Sequence, residues 1–95
     1  MNLELFSSKA GVAEPNLVAI QAADLGMLPT ILVCPLIAAE PLTGVRTTAA
    51  VNGRRYVVLC DLARPINRRV LTKAGMLDET SSVRVMQTFS RLLAH

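Results

Sequence analysis

Apolar positions come in short runs along this chain, separated by turn-forming residues. Leu3-Glu4-Leu5-Phe6 is the first run and predicts a strand. Ser7 to Asn16 holds Ser7-Ser8, Lys9, Gly11 and Glu14-Pro15, and reads as a loop. Leu17 to Gln21 is strand-like, and Ala22 to Pro29 is a connection. Thr30 to Ile37 is apolar and β-branched, with Pro35 inside it. A proline lacks the amide a ladder needs, so this segment is predicted as an edge, a bulge or a strand end. Glu40 to Gly44 is a turn.

The strongest local signal follows. Val45 to Val51 and Arg54 to Cys60 are β-rich, and Asn52-Gly53 lies between them. An Asn-Gly pair suits a type I′ hairpin, which needs positive φ at both central residues. Leu62 to Pro65 breaks the strand, Ile66 to Leu71 predicts one more short strand, and Gly75 is read as the end of that unit. The tail changes period. Asp78-Glu79-Thr80-Ser81 places acid and hydroxyl groups at a helix start. Val85, Met86, Phe89, Leu92 and Leu93 then recur at helical spacing, with Arg84, Gln87 and Arg91 opposite. The expectation is five or six short antiparallel strands and one C-terminal helix, a mainly β fold built as a small barrel or sandwich.

Composition narrows the picture. At 95 residues the chain predicts a single domain, 1–95, with a thin core that a second copy would complete. Hydrophobic residues are 52% and charged ones 18%, which excludes a disordered chain. Aromatics are 3%, so a base-stacking platform is not expected. No apolar run reaches transmembrane length and no leader pattern precedes Leu3, so a cytoplasmic protein without a membrane partner is expected. Cys34 and Cys60 each sit in an apolar run, as buried free thiols do in a reducing compartment. One His and no CxxC pair give no zinc pattern, and no cofactor is expected.

Candidate chemistry is sparse. The single His is His95, so a Ser-His-Asp triad is not supported, and Asp24, Glu40 and Asp61 are scattered over turns and strand ends. Arg54, Arg55, Arg64, Arg68, Arg69 and Lys73 place six of the ten basic side chains in one stretch, suited to phosphates or an acidic partner. Arg46 beside Thr47 and Thr48 joins a guanidinium to hydroxyls, a pairing that could stabilise a phosphoryl transition state.

The order of segments resembles the CcdB family of plasmid-maintenance toxins. Leu17 to Gln21, Asp24-Leu25, Leu28-Pro29-Thr30 and Val33 to Leu36 follow one another as in that family. Val51 to Leu59 looks like its hairpin, and Leu62-Ala63, Pro65 and Val70-Leu71 look like its next strand unit. The resemblance implies an SH3-like β-barrel with a C-terminal helix, a homodimer, a cognate antitoxin, and DNA gyrase as target. It places target contact at Arg91, Leu92, Leu93, Ala94 and His95. Family members end there in a Trp-Gly-Ile-like tip, whereas this chain reads Leu93-Ala94-His95. The related MazF endoribonucleases carry Arg-Pro before a long strand. Here the pair is Leu28-Pro29, while Val58 to Arg64 looks like a MazF segment. That resemblance implies RNA as substrate, with Arg46 and Thr48 as the candidate catalytic pair. A third reading is a toxin that has lost its activity and only binds antitoxin.

Overall fold

A computed structural model describes residues 2–12, 14–20, 28–38 and 41–94. Its elements run β1 (Glu4–Ser7), β2 (Leu17–Ala19), β3 (Thr30–Ala38), β4 (Thr47–Val51), β5 (Arg54–Val58), β6 (Arg64–Asn67), β7 (Thr72–Met76) and α1 (Glu79–Leu93). Strand order is β4-β5-β3-β2-β1-β7, with β6 also on β3. Every pairing is antiparallel. The long strand β3 turns the sheet: its first half pairs with β6 and its last residues with β5. β6 and β7 lie at opposite edges of the sheet formed with β1, β2 and β3, yet a short 3₁₀ turn, Arg68–Val70, joins them. That connection forces the sheet to curl, which gives the mainly β barrel with a C-terminal helix expected from the sequence.

The apolar runs do not alternate because both faces of the sheet are covered. Leu5, Val18, Cys34, Leu36 and Val58 face a core shared with Leu77 and Val85 of the helical side. Phe6, Leu17, Ala19, Ile31 and Val33 face a second core, completed by Ile66 and Leu71 at the β6–β7 corner. Neighbouring residues such as Leu17 and Val18 therefore serve different cores.

The two strand prolines are tolerated for different reasons. Pro35 is not at an edge or a strand end; it lies inside β3, where the strand changes partner from β6 to β5. Its carbonyl still accepts from the Leu59 N–H at 2.9 Å. Pro65 occupies edge strand β6 opposite Leu32, and the neighbouring Ile31–Ile66 and Val33–Arg64 rungs carry the ladder bonds.

Three further expectations change. Seven strands form among the described residues, where five or six were expected in the chain. Ile66 to Leu71 is not one strand: β6 stops at Asn67, whose side chain accepts from the Arg69 N–H and turns the chain. Gly75 does not end its unit but lies within β7, where the register with β1 shifts and its φ is +118°. The bulge needs that left-handed backbone, which glycine adopts without a Cβ penalty. The hairpin stands as read, with Asn52 at φ +52° and Gly53 at +76° between paired Val51 and Arg54.

Candidate functional site

The helix is fixed at its first turn by hydroxyls. Asp78 is the N-cap, and its carboxylate accepts from the Ser81 N–H at 3.0 Å. Hydrogen bonding from the Ser81 hydroxyl, and then from its amide, holds the Asp78 carboxyl below the usual carboxylate range. Ser82 is buried; its Oγ accepts from the Leu3 N–H at 3.0 Å, tying the helix to the chain just before β1. Ser81 and Arg84 meet strand β4 from the side. Ala50 donates its N–H to Ser81 Oγ at 3.2 Å, and Arg84 Nε donates to the Thr48 carbonyl at 3.3 Å. These are the β4 groups that point away from β5, because Ala49–Tyr56 and Val51–Arg54 are the bonded rungs of the hairpin. The helix thus seals an open sheet edge with side chains. Arg84, expected on the solvent face, is half-buried in that task.

The MazF-type pair, Arg46 and Thr48, lies at the start of β4. Arg46 does not stand beside Thr48 as a bare guanidinium. Its Nε and a terminal nitrogen reach both oxygens of Asp61, at 3.1 and 3.3 Å. The hydrogen bond from Arg46 lowers the Asp61 carboxyl below its ordinary value. Asp61, expected at a turn or strand end, is the counter-ion that ties the 3₁₀ turn Cys60–Leu62 to the residue just before β4.

The C-terminal tip of α1 divides. Leu92 packs against the core beneath the helix. Leu93, expected with the apolar stripe, is instead 72% exposed. Arg91 donates to Thr88 Oγ1 at 3.3 Å and, with Ala94, faces outward. His95 lies outside the described residues, as do Asp24 and Glu40. Val83, Met86, Gln87 and Arg91 line a groove of about 580 Å³ along the exposed side of α1. Sequence periodicity missed it because Val83 falls off the apolar stripe.

The basic stretch is split by β3. Arg54 and Arg55 open β5 beyond one end of β3, with Arg54 stacked 5.6 Å from the Tyr56 ring centre and 3.7 Å from Glu14. Arg68 and Arg69 lie beyond the other end, where Arg68 donates to the Leu28 carbonyl at 2.9 Å. Lys73, on β7, is 3.8 Å from Glu4. A second cleft, of about 260 Å³, is lined by Lys9, Glu14, Asn16 and Tyr56 among others. Among the described residues, no group of three His, Cys, Asp or Glu side chains could hold a metal ion. Nor is any helix among them long and apolar enough to cross a membrane.

No family model matches the chain. No curated protein matches it either. Among solved structures, MazF from Deinococcus radiodurans (Form-I) superposes at a TM-score of 0.72, over 99% of this chain and 94% of that one. The chain has the MazF fold. Sequence identity is 17%, so the shared property is the path of the backbone and not a set of side chains. The architecture implied by the sequence resemblance, the barrel common to CcdB and MazF, is therefore present. The superposed structure is a MazF, and no family model or curated protein supports CcdB in particular.

Proposed function

We propose that this protein is the toxin component of a toxin–antitoxin pair. Support comes from two independent directions. The ordered segments from Leu17 to Leu71 resemble the CcdB family in sequence, and the backbone matches a MazF over nearly its whole length. Within that reading, the chain acts by binding a protein target through the end of α1, and DNA gyrase is the target the resemblance implies. The observation that carries this mode is the exposed apolar tip. Leu93 is 72% exposed at the helix end, and Val83 is exposed in the groove along the same helix. A large exposed side chain at a helix end has no role in the core and suits an interface.

One observation favours a second mode, an endoribonuclease acting on single-stranded RNA: the matching structure is a MazF. In that mode Arg46 and Thr48 are the catalytic pair, and Arg46 must exchange Asp61 for a phosphate oxygen.

Growth inhibition by variants separates the modes. Removing Leu93, Ala94 and His95 should abolish inhibition while the barrel stays folded, because chain ends contribute little to a core. Arg46→Ala and Thr48→Ala should leave inhibition intact, and a mixed RNA should remain uncut. Loss of inhibition in those two variants with RNA cleavage by the native chain would establish the ribonuclease mode. Such a preorganised donor is typically worth about 10²–10³ in rate. A native chain that inhibits nothing yet binds its antitoxin would be the inactive toxin.

A further inference from the structure

Register brings the two cysteines face to face. β3 and β5 pair with Ala38 opposite Tyr56, Ile37 opposite Val57 and Leu36 opposite Val58. The next rung is Pro35 with Leu59, and it carries the hydrogen bond from Leu59 N–H to Pro35 carbonyl at 2.9 Å. One step further along the same register, Cys34 meets Cys60, where the 3₁₀ turn begins. Bonded and non-bonded rungs alternate in an antiparallel pair, so the cysteines occupy a non-bonded rung. Opposed Cα atoms at such rungs are about 4.5 Å apart, within the range a disulfide spans, roughly 4.4–6.8 Å. Residues on one rung point to the same face, and both cysteines enter the core beneath α1. Their exposures are 0% and 2%. A hydrogen bond between the thiols lowers the Cys60 thiol from its ordinary value and, with burial, pushes that of Cys34 up.

We infer that Cys34 and Cys60 form a buried cross-strand dithiol that closes to a disulfide on oxidation by a peroxide. The Cys60 thiolate attacks one peroxide oxygen; the O–O bond breaks, hydroxide leaves, and Cys60 becomes a sulfenic acid. The Cys34 sulfur then attacks the Cys60 sulfur and expels the second hydroxide. With the two thiol protons, the two hydroxides leave as water. Overall, two thiols and one hydrogen peroxide give one disulfide and two waters. Burial makes the first step wait on local opening, so closure is slow in the resting fold. The bond joins the point where β3 changes partners to the turn that holds Asp61. It encloses the segment 34–60, which carries the whole β4–β5 hairpin, and should lock the joint between the two parts of the sheet.

The test uses the full native chain treated with hydrogen peroxide and, separately, with diamide. Intact mass under non-reducing conditions and thiol labelling after unfolding are the readouts. A single chain should lose two hydrogens, both thiols should stop labelling together, and dithiothreitol should restore them. The oxidised chain should melt about 10 °C higher. Cys34→Ala and Cys60→Ala should never show the two-hydrogen loss; their remaining sulfur should gain oxygen or stay reduced. Oxygen addition to one native thiol while the other still labels would overturn the inference. So would two thiols left free after treatment, or disulfides found only between chains. An oxidised chain with an unchanged melting point would overturn the locking role. The mass readout on the native chain decides the pairing even if neither variant folds.

Discussion

Single side chains here act mostly as connectors, and Asp61 shows how. Its carboxylate holds Arg46 by two bonds and is thereby kept more acidic than an ordinary aspartate. A carboxyl whose folded value is depressed contributes stability at pH above its unfolded value of 3.8, and that contribution is lost as pH falls through the lower folded value. Below that point both states are protonated and the pair contributes nothing. Asp61→Asn should therefore lower stability at neutral pH by about 0.2–1 kcal/mol, the range of a partly exposed pair, and should match the native chain in strong acid. Urea melts at pH 7 and below pH 3 check it, and an equal difference at both pH values would refute the linkage. Asp61 was legible only as a turn acid, because its partner lies 15 residues earlier and no local pattern marks such a pair.

At the scale of elements, the informative contact is between α1 and the open edge of β4. Ser81 is buried and satisfies the Ala50 N–H, so Ser81→Ala leaves that amide without a partner at the seam. Ala50 is exposed and the bond is only part-buried, so its loss costs about 0.5–1.5 kcal/mol. The expected result is a melting midpoint shifted by that amount and faster hydrogen exchange at Ala50, with the amides of the β3–β5 ladder less affected. Unchanged exchange at Ala50 would show that the helix does not seal the edge. The hairpin and the helix were both readable, since Asn52-Gly53 and the Asp78 cap are local chemistry with one outcome each. The strands around Pro35 and Gly75 were not. Pro35 is tolerated because the strand changes partner there, and Gly75 is useful because it lies at a register shift. Both facts belong to distant pairings. For the candidate site, the residue types at Arg46, Thr48 and Leu93 were visible, but which were already engaged depended on Asp61 and Arg84, from other elements.

For the whole molecule, several large apolar side chains stand at the surface. Met76 is 53% exposed on β7, Val70 60% at its turn, and Leu93 72% at the helix tip. A second copy covering part of this surface is the expected solution state. It should bury about 1,200–2,000 Å² in all and persist at micromolar concentration by light scattering. A monomer under those conditions would refute the dimer.

The pairing of β1 with β7 also sets a schedule for synthesis. Leu5 pairs with Gly75, so β1 leaves the ribosome 70 residues ahead of that partner. At about 5–20 residues per second, the strand waits roughly 4–14 s with one edge open. Until then the barrel cannot close, and Leu3 has no Ser82 to receive its amide. Whatever this protein does to a cell, it does only after β7 and α1 have been made and folded back onto its opening residues.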